Sequence, residues 1–416
     1  MTNNQRRLTL AAATMGWALD AFDFTLFLFA IPQLTANFNF GTGFAGFILT
    51  CTLVCSAFGG LLFGVLADKL GRAKMLSVTI LIYSAASLGS ATAQNEWQLL
   101  IWRCLLGIGM GGEWATGATL VAETWPPEKR NKALALMQSG WAIGFIASAL
   151  LSLYVLPLLG WRYLFAFGAL PALATFWIRA KIDEPLEWQI HHARTANFTP
   201  DHALSFFDSL TTQLGALFDP RWRRAFLIAT AMVACVMFGV WGFFTWLPSF
   251  LATPIEKGGA GLSFFKSVNW TIALQSGAFV GYVSFGWVAD FLGRKRAYAL
   301  YVVMAAILAP VFVHQATSGA NLILIGPLIG LFGHGHFSAL APMLSELFPV
   351  QIRATAQSTI YNTGRGVSAA APWLIGAMAE RYGFSGPLIA ASGFFIASAV
   401  LVTLLPAPSF KEQPSS

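Results

Sequence analysis

Long apolar runs separated by short polar gaps recur from one end of the chain to the other. Each run is long enough to cross the roughly 30 Å of hydrocarbon in a bilayer, which takes about 20 helical residues. Backbone polar groups find no water inside lipid, so the spans must be helices or a closed barrel, and these runs do not alternate as barrel strands do. We therefore predict twelve membrane-spanning helices, over residues 10-33, 45-67, 74-92, 97-120, 134-157, 161-179, 224-250, 267-289, 297-315, 321-344, 356-379 and 386-405.

The composition places most of the chain in lipid. Of the 416 residues, 56% are hydrophobic and 10% are charged, against roughly 25% charged in an ordinary soluble domain. The net charge of +7 comes from basic residues in the short polar gaps and not from a basic domain, so we expect no nucleic-acid partner. The chain has no phosphate-binding loop and no paired CxxC motif, and we expect no enzyme activity, no cofactor and no metal.

Most lysines and arginines outside the spans lie in loops on the side of the N-terminus. By the positive-inside rule, this asymmetry predicts a multi-pass protein of the inner (plasma) membrane with both termini in the cytoplasm. Arg6 and Arg7 precede the first apolar run as in a signal peptide. Because Asp20 and Asp23 interrupt that run and no small-residue cleavage site follows, we interpret it as the first span.

The longest polar segment divides the predicted spans six and six. We predict an N-terminal six-helix bundle at residues 1-179, a cytoplasmic linker at 180-223 and a C-terminal six-helix bundle at 224-416. Residues 64–72, with the sequence GVLADKLGR, return as GWVADFLGR at 286–294, and a second motif recurs at almost the same offset. This repeat indicates duplication of a six-helix unit, an architecture in which a site near the membrane midplane is exposed to each side in turn.

The charges of the repeated motifs fall at the predicted cytoplasmic ends of the spans. They predict a gate whose ion pairs hold the two halves together and part when the transporter opens inward. Alternatively the arginines are only cytoplasmic anchors, which would leave the matched acidic residues and glycines unexplained. The predicted gate residues are Asp68, Arg72, Glu123, Arg130, Asp290, Arg294, Glu346 and Arg353.

These motifs resemble the signature of the major facilitator superfamily, Gly-x-x-x-Asp-x-x-Gly-Arg between spans two and three, and both copies fit it. Residues 17–24, residues 111–113 and Trp161-Arg162 resemble the sialate:proton symporters, a branch that includes lactate and other monocarboxylate permeases. The paired aspartates also resemble those of aromatic-acid:proton symporters. The resemblance implies an all-α major facilitator fold of two pseudo-symmetric bundles, and proton-coupled import of a small organic acid.

A few ionisable residues lie inside predicted spans, where each charge costs about 2.5 to 3.5 kcal/mol on insertion scales. Asp20 and Asp23 lie one turn apart on nearly the same face, so repulsion and desolvation both favour a proton on at least one of them. Arg103 falls at about the height of Asp23 and is the expected partner in proton coupling, although a static ion pair between helices is the alternative. Glu113 is a further candidate for proton coupling.

Arg365 lies near mid-depth in the eleventh span and is our candidate for holding a substrate carboxylate. Its planar guanidinium binds a carboxylate through two charge-assisted hydrogen bonds. Alternatively, Arg365 pairs only with protein groups such as Tyr361. Further candidates for the substrate site, each of which has packing as its alternative role, are Asn362, Tyr361, Asn269, Gln275, His336, His334 and Trp241.

The sequence therefore predicts a secondary active transporter that couples protons to the movement of a small organic carboxylate by alternating access. A monocarboxylate such as lactate is the first expectation, because residues 180-223 are too polar to supply the extra helix pair of the sialate carriers. A sialate or aromatic-acid permease and an efflux facilitator remain open, and a receptor that binds without transport would have little use for doubled gate motifs. The expected partners are a small organic anion, protons and the lipid bilayer, and we expect a monomer.

Overall fold

The computed structural model describes residues 3–173, 175, 215–318 and 325–406, and this part of the chain is helical almost throughout. The predicted linker at 180-223 lies outside the described residues as far as residue 214. The helices of the first half are α1 (Asn3–Phe38), α2 (Thr42–Leu70), α3 (Arg72–Ala91), α4 (Glu96–Thr124), α5 (Pro127–Leu158) and α6 (Trp161–Phe167).

The second half begins at the apolar helix after the linker. Its helices are α7 (Arg223–Phe244), α8 (Leu247–Ala252), α9 (Phe264–Leu292), α10 (Arg294–Thr317), α11 (Ile325–Gly335), α12 (Phe337–Ser345), α13 (Val350–Ser368), α14 (Ala370–Tyr382) and α15 (Ser385–Leu404). Within the described residues, eight helical segments are long and apolar enough to cross a membrane. Many large apolar side chains on them are exposed, as a lipid-facing surface requires.

Three of the predicted spans are each built from two helices, because the sequence locally interrupts the helical hydrogen bonds. Span 224-250 breaks between α7 and α8, before Pro248, and span 356-379 breaks between α13 and α14, before Pro372. Proline has no N–H to donate to the carbonyl four residues earlier. Span 321-344 breaks at His336, just after the glycine-rich end of α11.

Glycines let neighbouring helices approach closely at equivalent places in the two halves. A Cβ atom at Gly107 or Gly111 of α4 would overlap with backbone carbonyl groups of α2. In the second half, a Cβ atom at Gly330 of α11 would overlap with the backbone of α9. Small residues at such crossings are the usual means of close helix packing in membranes. The α2–α4 and α9–α11 contacts are thus the same interface in two copies.

The two halves meet mainly where α2 packs on α13 and α14 and where α5 packs on α9. Near the start of α2, the Thr42 hydroxyl donates to the carbonyl of Gly376 over 2.9 Å, and the Thr50 hydroxyl donates to the carbonyl of Ala369 over 2.5 Å. If both termini are cytoplasmic, as predicted, these bonds close the extracellular end of the molecule.

We expect Gly111→Val to lower the stability of the folded protein, because the larger side chain cannot fit against α2. Overpacking of this kind costs about 1–3 kcal/mol. Thermal unfolding of the detergent-purified protein is the measurement. Gly393→Val is the matched control, since a Cβ atom at Gly393 meets nothing within 4 Å. Equal melting temperatures for the two variants would contradict the packing argument.

Candidate functional site

A cleft lies between the two halves, at the level of the helix breaks, and we call it the central cavity. Both halves contribute to its wall, and most of the side chains that line it are aromatic or aliphatic. Its residues are Trp17, Phe24, Thr25, Leu28, Gln138, Trp141, Phe145, Met237, Val240, Trp241, Phe244, Thr245, Tyr282, His334, Phe337, Tyr361 and Arg365. Such a mainly apolar cleft with a few convergent polar groups is typical of a small-molecule site.

Arg365 is the one arginine among the residues that line this cavity. Its side chain is 2% exposed, and its Nη1 donates to the hydroxyl of Ser56 on α2 over 2.8 Å. Its Nη2 donates to the hydroxyl of Tyr361 over 3.4 Å, while its Nε has no hydrogen-bond partner among the described residues. No described carboxylate forms an ion pair with Arg365, so its positive charge is held only by neutral groups.

Aromatic side chains of both halves contact each other beside Arg365, and we call them the aromatic wall. Phe24 and Trp141 of the first half contact Trp241 of the second half, with ring centroids 5.5 and 5.9 Å apart. Trp17 packs against Trp141 at 5.0 Å. The indole nitrogens of Trp17 and Trp241 are buried and have no hydrogen-bond partner among the described residues. They are therefore donors available to a polar group in the cavity.

Of the sequence-predicted substrate residues, Arg365, Tyr361, His334 and Trp241 line the cavity. His334 lies against the ring of Phe244 with centroids 4.2 Å apart, and its Nδ1 has no partner among the described residues. This ring nitrogen can accept or donate a hydrogen bond, depending on the tautomer.

The other predicted substrate residues lie elsewhere. The Asn362 side chain donates to the Ser358 carbonyl over 3.0 Å and lies beside Gly60 of α2. His336 stacks on the cavity residue Phe337 but does not itself line the cavity. Gln275 is buried away from the cavity wall. Asn269 is exposed on the outside of α9. These four residues do not enter the site that we describe.

Asp20 and Glu113 form a buried acidic pair behind the cavity wall. Both side chains are fully buried, and none of their four carboxylate oxygens has a hydrogen-bond partner among the described residues. Glu113 reaches Gly16, one turn before Asp20 on α1, where a Cβ atom would overlap with its Oε1. The charged groups that act on Asp20 are Glu113, Arg365 and Asp23. Asp20, predicted from the sequence as a proton carrier, is thus buried without a hydrogen-bond partner among the described residues.

Asp23 and Arg103 are close but do not form an ion pair. One carboxylate oxygen of Asp23 accepts a short hydrogen bond from the hydroxyl of Ser87 on α3. Arg103 instead donates to the backbone carbonyl of Phe24 over 3.1 Å, and its guanidinium lies 4.9 Å from the centroid of the Phe27 ring. Asp23 is thus held by α3, on the side of α1 away from the cavity.

The predicted gate residues lie at the ends of the helices, and the structure pairs two of them directly. Arg294 at the start of α10 forms a salt bridge with Glu346, within the second half. Arg353 donates to the Phe348 carbonyl over 3.3 Å, and Arg72 donates to the Ala67 carbonyl over 3.1 Å. Of Asp68 and Glu123 the structure describes only the backbone, and Arg130 and Asp290 form no ion pair with another described residue.

Comparisons with known proteins agree with this architecture. A sequence profile described as Major Facilitator Superfamily matches residues 14–284 and 261–416. The chain belongs to the major facilitator superfamily. It is similar over its full length to solved structures of that fold, among them the proton:xylose symporter XylE, with a TM-score of 0.72, 18% identity and coverage of 98% of this chain and 97% of that one.

Three curated relatives of this superfamily member are transporters by name. It is 32% identical to a putative metabolite transport protein of Haemophilus influenzae, over 97% of this chain and 96% of that protein. It is 27% identical to the cis,cis-muconate transport protein of Acinetobacter baylyi, with full coverage of both chains. It is 30% identical to the sialic acid transporter NanX of Escherichia coli, over 97% and 94%. The expected superfamily and both of the branches that the sequence resembles are confirmed, and the chain is not an enzyme.

Sequence reasoning missed most of the aromatic wall of this superfamily member. Trp141, Tyr282 and Gln138 line the cavity but belong to no charged or repeated motif. Aromatic residues are frequent throughout the apolar runs, and the chain contains 15 tryptophans. The available signal was their position at mid-span, away from the membrane interfaces where tryptophan is usually enriched.

We expect Ser87→Ala to destabilise the protein, because it removes the one hydrogen bond that the structure gives to the buried Asp23 side chain. Leaving a buried acceptor unsatisfied costs about 1–3 kcal/mol. Thermal unfolding in detergent is the measurement, and Ser276→Ala, which changes an exposed serine of α9, is the control. Melting temperatures that fall equally in both variants would show that the Asp23–Ser87 hydrogen bond does not stabilise the folded protein more than an exposed serine does.

Proposed function

We propose that the protein is a proton-coupled symporter that imports a small organic carboxylate and holds it between Arg365 and the aromatic wall of the central cavity. The observation that carries the proposal is a buried guanidinium at the cavity that forms no ion pair with any described carboxylate. A buried cation without a counter-charge is costly, so a bound anion would stabilise it. Arginine also matches a carboxylate geometrically through two parallel hydrogen bonds.

The cavity wall favours a carboxylate that carries a flat ring or a conjugated chain. Aromatic side chains from both halves surround the space beside Arg365, and rings stack well on planar unsaturated groups. Lactate has no ring or conjugated chain that could stack on these aromatic side chains. The named substrates of two relatives, muconate and sialic acid, are both organic acids. We therefore place the aromatic-acid alternative ahead of lactate.

In the proposed mechanism, Asp20 and Glu113 bind the protons that are coupled to transport. An ionised carboxylate without a partner is unfavourable at this depth, so each of these two carboxyl groups favours its protonated, neutral form. When both carboxyls are neutral, Arg365 loses the negative charge that acts on it from Asp20, and it holds the substrate anion instead. Substrate anion and proton thus load together. Asp23 and Arg103 have a supporting part in this scheme, because Ser87 and the Phe24 carbonyl already occupy them.

A facilitator or efflux carrier for neutral amphipathic compounds is the second candidate, and the predominance of apolar side chains in the cavity favours it. The two candidates differ in what they require of the arginine. A carboxylate symporter needs the charge of Arg365, whereas a carrier of neutral compounds needs only the aromatic wall.

We expect Arg365→Gln to weaken carboxylate binding by at least tenfold, because it removes a charge-assisted pair of hydrogen bonds. The measurement is the thermal shift of the purified protein with benzoate, cis,cis-muconate, lactate and sialate, since a ligand of the folded state raises apparent stability. Arg381→Gln, at the exposed end of α14, is the matched control. An acid that shifts the wild type and Arg365→Gln equally would refute the clamp.

We expect Asp20→Asn to abolish accumulation driven by a pH gradient while substrate exchange across the membrane continues. The amide cannot take up a proton but keeps the size of the side chain. Proteoliposomes with an imposed gradient, loaded with whichever acid binds in the thermal-shift screen, provide the measurement. Asp219→Asn changes an exposed carboxylate paired with Arg221 and should behave as wild type. Wild-type accumulation that ignores the gradient would exclude proton coupling.

A further inference from the structure

Trp114 of α4 and Tyr361 of α13 stack face to face between the two halves. Their ring centroids are 3.9 Å apart and their planes differ by 6°. Because the two rings belong to different halves, they must separate when the halves move apart at this level. Offset or parallel ring pairs of this kind are favourable in addition to the area that they bury.

The stacked pair lies on the cytoplasmic side of Arg365. Tyr361 lines the cavity and Trp114 does not, so Trp114 lies behind Tyr361 as seen from the cavity. Each ring is about ten residues from the end of its helix that is predicted to be cytoplasmic, or roughly 15 Å at about 1.5 Å per residue. Arg365 follows one turn further along α13. The pair therefore separates the cavity from the cytoplasmic ends of α4 and α13.

Hydrogen bonds from cavity-lining residues hold both rings in place. The Trp114 Nε1 donates to the Gln138 Oε1 over 3.0 Å, and the Tyr361 hydroxyl accepts from Arg365 over 3.4 Å. Gln138 and Arg365 both line the cavity. Each ring of the stack is thus bonded to a side chain that an occupant of the cavity can contact.

We infer that Trp114 and Tyr361 form the cytoplasmic gate of the cavity, held closed by Gln138 and Arg365. The stack contains no ion pair, so separation of the halves breaks it without exposing a buried charge. A link to substrate rests on the proposed function. A carboxylate bound to Arg365 accepts hydrogen bonds from the guanidinium N–H groups and so competes with the Tyr361 hydroxyl for them. Loss of the bond to Tyr361 favours the open gate.

The gate is tested by the reactivity of a single cysteine beyond it. Val240 lines the cavity on α7, further from the predicted cytoplasmic end than Tyr361. Val240→Cys is introduced after replacement of the four native cysteines by alanine, and an impermeant thiol reagent is added from the cytoplasmic side. Trp114→Ala should raise the labelling rate by roughly two- to tenfold, the population change that loss of such a stack gives. Trp114→Phe keeps a ring and should stay close to the wild-type rate.

Two further variants separate the gate from a general loosening of the fold. Tyr361→Phe keeps the ring and removes only the hydroxyl, and it should raise labelling less than Trp114→Ala but more than Trp114→Phe. Phe394→Ala removes a comparable stack, with Phe238 at 4.1 Å and 26°, that lies within the second half. It should leave the rate unchanged. Labelling of Trp114→Ala at the wild-type rate, or an equal increase in Phe394→Ala, would overturn the gate.

The labelling needs no substrate, so its outcome is independent of the proposed function. The link to substrate is tested by the apparent Kd for benzoate from thermal shifts. By reciprocity, a ligand that favours the open gate binds more tightly where the gate is already weakened. Trp114→Ala should therefore lower this Kd several-fold, and an unchanged or higher value would refute the link. If benzoate binds to neither protein, the carboxylate proposal loses support while the labelling result stands.

Discussion

The free energy required to place a charge in hydrocarbon organises the interior of this protein. Each ionisable side chain at membrane depth needs a hydrogen-bond partner, an opposite charge, a proton or a bound ion. Asp23 accepts from Ser87, and Arg103 is held by a backbone carbonyl and an aromatic ring. Arg365 donates hydrogen bonds to two hydroxyl groups, and its Nε has no partner among the described residues. The carboxylates of Asp20 and Glu113 accept no hydrogen bond from a described residue. The least satisfied groups are those to which transport chemistry is most naturally assigned.

The Arg365 guanidinium and the carboxyl groups of Asp20 and Glu113 lie in different parts of the protein interior. Arg365 lines the central cavity, while Asp20 and Glu113 are buried within the first half and are not among the residues that line it. The proposed coupling therefore requires the charge on the carboxyl groups of the first half to act on Arg365 through a medium of low dielectric, where charges interact over more than one contact distance.

The two ends of the cavity are closed by different kinds of interaction. Toward the end of the molecule that is predicted to be extracellular, two hydroxyl groups of α2 donate to the backbone carbonyl of Gly376 in α14 and to that of Ala369, between α13 and α14. Toward the other end, the halves meet in the ring stack of Trp114 and Tyr361. Directional hydrogen bonds require one precise arrangement, whereas stacked rings tolerate sliding. One turn from the stack, the hydrogen bond from Arg365 to Ser56 of α2 also joins the halves.

The sequence alone was sufficient for the class of protein, the superfamily and the duplicated architecture. Apolar periodicity and the repeated Gly-x-x-x-Asp-x-x-Gly-Arg motif are local signals, and lipid leaves a helix little alternative. Burial of Asp20, Asp23, Arg103 and Arg365 was also predictable, because charges inside apolar runs stand out. The helix breaks before Pro248 and Pro372 could also have been predicted, because proline lacks the N–H that a continuous helix requires. The predicted spans 224-250 and 356-379 nevertheless run through both positions.

Only the tertiary structure decided which residues share one space. Arg103 and Asp23 fall at similar heights along their helices, yet their side chains turn to different partners. Asn269 and Gln275 lie on the same helix as Tyr282, but Tyr282 alone of the three lines the cavity. The physical reason is rotation: height follows from counting residues along a helix, whereas the direction of a side chain depends on packing against helices that are distant in sequence. The wall of Trp17, Trp141 and Trp241 therefore became visible only when α1, α5 and α7 were brought together.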